Sequence, residues 1–387
     1  MRQILLPVLY GAGVNEVTSM KKILAAAAAL TLCTALLAGC GAKTAASAQS
    51  GEAQSGEGAQ STAPQNDAAS VQTQTLTSDP LTGFDLQWPG KRPVAVMINS
   101  DSSLAGQWGV SAASVMIEAV TTGQKTALMC LYPAADAVEK LGPVTAGDDL
   151  FLQLSLPLNA IQMQINKTVY AANLLNTLGE QDLDGYYSGT TCFDYDGERG
   201  QAMGNEFCWY TNAGLIQNGL ELYGLSDEGA TRSMFHFGTE QRPDPSEHTA
   251  QQVNIHYGTG CDISLHYDDF SGRYLRTGAD GADETDAATG EAVKFRNVFL
   301  LKASTGVKDD NATRDYDLSG GTGVYLTQGG WEKITWSKGD VREPLQLFAA
   351  DGSELVVNPG PSYIGILGDF NGQRAVIYNQ NGEEQEQ

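Results

Sequence analysis

Positive charge is scarce: 23 Lys plus Arg stand against 46 Asp plus Glu, a formal charge of −23. With no basic stripe along the chain, nucleic acid is excluded as a partner, because phosphate-backbone binding needs clustered Lys and Arg. The same deficit argues against electrostatic adhesion to anionic lipid. Histidine is scarcer still. The four (His236, His248, His256 and His266) do not pair with cysteines at finger spacing, and no Cys-x-x-Cys occurs, so neither a metal nor any other cofactor is expected. The absence of a Gly-x-Ser-x-Gly pentapeptide removes the nucleophile elbow of the α/β-hydrolases. No segment reaches the roughly 20 apolar residues of a spanning helix. What is present, 44 Gly and 42% hydrophobic residues, describes a folded, turn-rich protein.

The N-terminus carries the strongest signal. Met20-Lys21-Lys22 precedes the apolar, Ala-rich run 23–37 and then Ala38-Gly39-Cys40, the order of a secretory signal with a small-residue cleavage site. Leu37-Ala38-Gly39-Cys40 resembles the lipobox of bacterial lipoproteins. Cys40 is accordingly the expected lipidation site, its thiol receiving diacylglycerol. Residues 1–19 look like neither signal nor domain and are read as a mis-assigned leader, with Met20 the start. Residues 40–78 are almost wholly small and polar; they cannot bury enough apolar area to offset chain entropy and read as a disordered tether. The expected location is the outer face of the membrane of a Gram-positive bacterium, anchored but not spanning.

Beyond Cys33 and Cys40 there remain Cys130, Cys192, Cys208 and Cys261. Three pairings are open, of which Cys192 with Cys208 is the most local candidate disulfide, and four buried free thiols are the alternative.

From 79 to 237, strand-like runs at 94–98, 115–120, 126–132 and 160–165 alternate with helical spacing at 168–178 and 205–222, which predicts a mixed α/β domain. From 252 to 371 strand follows strand (253–257, 263–267, 273–276, 293–302, 324–327, 331–336, 345–348, 354–357 and 363–367), which predicts an antiparallel β-rich domain and an α+β or α/β fold class overall. The segment 238–251 reads as a hinge and 372–387 as a polar tail.

Several short motifs keep a fixed order: Pro80-Leu81-Thr82-Gly83, Arg92-Pro93-Val94-Ala95-Val96-Met97-Ile98-Asn99, Glu118-Ala119 and Leu141-Gly142-Pro143-Val144. They are followed by Tyr274-Leu275-Arg276, Asp286 before Thr289-Gly290, Asn297-Val298, Gly321-x-Gly323, Trp336-x-Lys338, Asp351-Gly352 and Asn358-Pro359-Gly360. In this order the chain resembles the domain-of-unknown-function 3048 (YerB-like) lipoproteins over roughly 79–369. The resemblance implies an N-terminal α/β domain, a C-terminal β domain and a lipid anchor, and no established reaction. The chain departs from the family where an Arg usually stands beside a Thr (here Thr126-Ala127). It departs again where Arg-Ser-Ala-Arg usually follows (here Thr145-Ala146-Gly147-Asp148) and where many members have His (here Gln164). If those basic residues hold an anion in relatives, this chain has lost or changed it.

Among single residues, Glu118 at the end of an apolar strand is the leading candidate, since an acid there is either desolvated or paired to a base; a salt-bridged structural role is the blander reading. Thr126, Asn212, Asp286, Trp336 and Lys338 complete the candidate ligand-binding set. Cys261 and His266 lie near in sequence, but five positions apart on a strand they point to opposite faces. Cys208 falls in the helical run and reads as core. The acid-rich stretches 280–286 and 309–317 do not have the spacing of a calcium loop. Trp331, Trp336, Tyr325 and Tyr363 read as strand core ahead of a carbohydrate face. The function expected is binding at the cell envelope, of an envelope protein or a cell-wall glycan, without catalysis. The alternative is a cell-wall hydrolase using Glu118 with Asp286.

Overall fold

The computed structural model describes residues 77–101, 106–239, 248–278 and 281–386. The leader, the signal, Cys40 and all but the end of the tether lie outside the described residues, as does the middle of the hinge. The first segment supplies β1 (Val94–Ile98), β2 (Val115–Thr122), β3 (Lys125–Tyr132), α1 (Asp149–Ser155), β4 (Ile161–Gln164), α2 (Val169–Leu178), β5 (Leu183–Asp184) and α3 (Ala213–Tyr223). The second supplies β6 (Gln252–His256), β7 (Asp262–Asp268), β8 (Arg273–Thr277), β9 (Lys294–Phe295), β10 (Asn297–Ala303) and β11 (Gly321–Thr327). It continues with β12 (Gly330–Ser337), β13 (Gln346–Ala349), β14 (Ser362–Gly368), β15 (Arg374–Tyr378) and β16 (Glu384–Gln385).

The result is an α+β fold built on two large sheets, with three two-stranded sheets beside them among the described residues. The larger has ten strands in the order β13-β12-β11-β10-β14-β2-β3-β1-β4-β5, the smaller six in the order β9-β8-β7-β6-β15-β16. At the middle of the larger sheet β14 runs parallel to both of its neighbours, β10 and β2. The segments 79–237 and 252–371 are therefore interlocked through one sheet, and the second segment is antiparallel except along β14 and where Val356–Val357 pairs in parallel with His236–Phe237.

The continuous apolar runs follow from this arrangement, because a strand covered on both faces needs hydrophobic residues at every position. Alternate side chains go to opposite faces. Val94, Val96, Met116, Leu128, Leu300 and Tyr363 share one face with Val253, Ile255, Leu265, Tyr274 and Ile377 of the smaller sheet. Ala95, Met97, Ile117, Phe299 and Ile364 face the other way, against Leu150, Phe151 and Leu154 of α1. Phe299 stacks on Tyr325 with ring centroids 4.7 Å apart.

Helix starts are set by side chains that accept orphan amides. Thr168 caps α2 through Ala171 N, and Asn212 caps α3 through Leu215 N. Asp148 caps α1 through Leu150 N at 3.1 Å. Burial, then the Asp149 charge, pushes the Asp148 carboxyl up to about 6 from an ordinary 3.8. A carboxyl raised in the folded state favours folding when protonated. Stability therefore rises as pH falls from 6 towards 4 and is lost as pH climbs back through that window. Asp148→Asn keeps a good cap without the charge. It is expected to raise the unfolding free energy at pH 7 by about 2 kcal/mol and to flatten the slope between pH 4 and 6. Urea unfolding across a pH series reads both effects; an unchanged slope would remove Asp148 as its source.

Four sequence expectations need correction. The helix expected at 205–222 is a 3-10 turn at Asn205–Phe207, a strand at Trp209–Tyr210 and then α3; Asn212, by capping at its own position, delays the helix. The run 293–302 is broken at Arg296 into β9 and β10. The polar tail contains β15, antiparallel to β6 with Ile377 fully buried. The described end of the hinge is built in, with Ala250 N donating to Gly329 O and Gln251 N to Tyr378 O.

Candidate functional site

Glu118 lies on the β2 face turned towards the smaller sheet, between Met116 and Val120 of the shared core. From the smaller sheet Arg276 of β8 points back, and the two meet with Nη2 of Arg276 2.9 Å from Oε2 of Glu118, each side chain only 2% exposed. Tyr363 of β14 donates to the same oxygen at 2.8 Å, and Thr126 of β3 donates to Oε1 at 2.7 Å. The Tyr257 and Tyr363 hydroxyls are 2.8 Å apart. Nη1 of Arg276 pairs with Glu284.

Burial pulls the Arg276 guanidinium down, but the charges of Glu118 and Glu284 outweigh it and hold it well above its ordinary value. Burial, followed by the charge of Glu118, raises both tyrosines, so they serve as neutral donors. One buried cation thus stands between two carboxylates, and every oxygen of Glu118 has a donor.

This cluster is the inner wall of a cleft of about 360 Å³ lined also by Ser100, Gln124, Lys125, Thr259, Gly260 and Asp262. At its rim Lys125 pairs with Asp101 at 3.0 Å, and the Cys261 thiol donates to Gln124 O at 3.0 Å. Among the described residues no group of three or more His, Cys, Asp or Glu is placed to hold a metal ion.

Of the candidate ligand-binding set read from sequence, Glu118 and Thr126 come together and the others do not; Tyr363, read as strand core, joins them through Oε2 of Glu118. Asp286, the second acid of the hydrolase alternative, accepts from Ser111 N at 3.1 Å and from Ser111 Oγ at 2.9 Å, and it does not line the cleft. Asn212 is spent as a helix cap. Trp336 is core, its indole donating to Lys302 O and Thr322 O at 3.2 Å. Lys338 is buried, donates to Asp340 O at 2.8 Å and is pulled down by that burial. Trp331, Tyr325 and Tyr363 are core as well. Of the two readings left open for the cysteines, the candidate Cys192–Cys208 bridge is not formed, and Cys130, Cys192, Cys208 and Cys261 are free thiols, the first three buried. Cys192 packs against Gly219 of α3, while the Cys208 thiol donates to Asn205 O at 3.2 Å. Burial pushes the Cys130 thiol up to about 12, an inert core residue.

Arg276, Glu284 and Tyr257 were not picked out by sequence reasoning. A signal existed for the first: Arg276 shares a strand face with Tyr274, and an arginine on a core-facing position requires a buried carboxylate.

An α+β protein whose two sequence segments close on one buried carboxylate–guanidinium pair is the class that fold and site define together. The chain belongs to the family described as protein of unknown function (DUF3048): the N-terminal domain model matches residues 81–221 and the C-terminal domain model residues 253–364. It is 28% identical over 316 residues to "Putative lipoprotein YerB" of Bacillus subtilis (strain 168), covering 79% of this chain and 90% of that one. The crystal structure of YerB protein from Bacillus subtilis superposes with a TM-score of 0.67 at 26% identity, over 77% of this chain and 99% of the other. No helix among the described residues is long and apolar enough to cross a membrane.

Proposed function

We propose that this protein is a lipid-anchored binding protein on the outer face of the bacterial cell membrane, holding a polar cell-wall glycan in the cleft beside Glu118 and Arg276. The anchor rests on the order of basic, apolar and small residues ending at Cys40 and on the name of the Bacillus relative. One observation carries the binding reading over hydrolysis: both oxygens of Glu118 are occupied, by Thr126, Arg276 and Tyr363. A carboxylate that accepts from three side chains, one of them a buried guanidinium, is committed on both oxygens to structural contacts and is not aimed at a leaving group or a water. The lining of hydroxyls, an amide and carboxylates around a single aliphatic, Ile263, suits a hydroxyl-rich ligand. A stable protein partner would need roughly 800 Å² of matching surface on each side.

The full chain in detergent, incubated with insoluble peptidoglycan, is expected to be retained without releasing soluble fragments. Thr259→Trp, which fills the cleft from an exposed position, should weaken retention at least tenfold. Fragment release that Glu118→Gln abolishes would instead establish the hydrolase.

A further inference from the structure

A second pocket, of about 320 Å³, is lined by Phe84, Ser271, Arg273, Arg296, Pro359 and Gly360, together with Thr239. Among the described residues no acidic side chain lines it, in a chain with twice as many acids as bases. Arg273 and Arg276 are three positions apart on β8, so the strand sends one to this pocket and the other to the Glu118 cleft. Asp268 stands directly across from Arg273 in the hairpin, yet its carboxylate is turned to the Ser271 and Phe270 amides at 2.9 and 3.4 Å.

Arg296 occupies the break between β9 and β10, and backbone approach holds it in place. Its Nη1 donates to Gly272 O at 3.2 Å. A Cβ on Gly360 would lie 2.5 Å from Arg296 Cβ, and one on Gly272 would lie 3.0 Å from Nη1. Its Nε is buried without a hydrogen-bond partner. No carboxylate among the described residues pairs with either arginine, and burial, then the charge of Arg296, pulls the Arg273 guanidinium down. Two half-buried guanidiniums side by side, with no carboxylate partner among the described residues, suit an oxyanion, because each offers a planar fork of donors that fits its geometry.

We infer that Arg273 and Arg296 form a binding site for a phosphate group, distinct from the Glu118 cleft. The phosphate has two sources with the same chemistry, a soluble phosphate ester or the headgroup of a phospholipid. Phe270, 98% exposed at the tip of the β7–β8 turn, gives the lipid source a physical basis, since it could enter a bilayer beside the pocket.

The test uses the full chain carrying Cys40→Ser, so that acylation does not mask vesicle binding. Titration calorimetry with inorganic phosphate is expected to show saturable one-to-one binding. Arg273→Gln and Arg296→Gln should each weaken it at least tenfold, while Arg374→Gln, an exposed arginine outside the pocket, leaves it within twofold. Circular dichroism checks that each variant is folded; Arg273→Gln, on a partly exposed strand position, carries the test if Arg296→Gln is not. Flotation with phosphatidylcholine vesicles, with and without phosphatidylglycerol, separates the sources. Retention that needs phosphatidylglycerol and is lost in Phe270→Ser identifies the lipid, whereas phosphate binding without retention identifies a soluble ester. Absence of saturable phosphate binding by the parent chain, or binding unchanged in both folded arginine variants, overturns the site.

Discussion

Arg276→Met is expected to lower the unfolding free energy by about 3–5 kcal/mol, because it leaves Glu118 buried with its charge uncompensated. The Thr126 and Tyr363 hydroxyls remain as donors, but a dipole does not replace a cation at a site this dry. Glu284, at 10% exposure, can regain some water; Glu118 cannot. The double variant Glu118→Gln/Arg276→Met should recover part of the loss, since replacing both members of a buried pair by neutral groups is far less costly than orphaning one. Urea unfolding of the parent, both single variants and the double variant closes the cycle. A loss below about 1 kcal/mol in Arg276→Met, the range of exposed ion pairs, would mean that Glu118 is solvated and that the pair is not the lock between the sheets.

Asn297→Ala should be nearly as damaging, at about 3–4 kcal/mol, although no charge is involved. Asn297 is fully buried at the start of β10. Its amide donates to Asn358 O at 2.8 Å and lies 3.3 Å from Ser362 Oγ, while its carbonyl accepts from Tyr325 OH at 2.8 Å. Tyr325 OH in turn accepts from Asn358 N at 3.1 Å. Truncation removes the amide donor to the Asn358 carbonyl and the acceptor of the Tyr325 hydroxyl in the interior, each lost contact costing about 1–3 kcal/mol, and adds a small cavity. The same network holds the turn Asn358-Pro359-Gly360, so phosphate binding at the two-arginine pocket should fall in parallel. Thermal unfolding and phosphate titration of one preparation measure both. Normal stability would show that Ser362 or water takes over the role of Asn297.

These two networks mark where the sequence could be read and where it could not. Central strands such as 94–98 and 115–120 are legible because burial on both faces demands unbroken apolar runs. Motifs such as Asn297-Val298 and Asn358-Pro359-Gly360 carried the family resemblance before any reason for them was visible. The structure supplies the reason, since Asn297 ties down the carbonyl of Asn358. The eight-residue delay of the helix expected from 205, the break at Arg296 and the late strand β15 escaped because they depend on single caps and on partners distant in the sequence. The Glu118 site was half legible. An acid in an apolar strand announces an unseen partner, but periodicity cannot say that the partner is Arg276, 158 positions later. The proposed second acid, Asp286, failed for the same reason: proximity in a motif list carries no information about distance between sheets.

The placement of β14 has a consequence for how the chain folds. Until Ser362–Gly368 arrives, β2 of the first segment and β10 of the second each keep an open edge at what becomes the middle of the larger sheet. A chain emerging in order from its N-terminus delivers this central strand nearly last, so neither half can settle before the other is present. Open edges of long apolar strands are templates for pairing with other chains. The high negative charge of the chain, which keeps neighbouring copies apart, then protects the molecule during the interval when it is topologically unfinished.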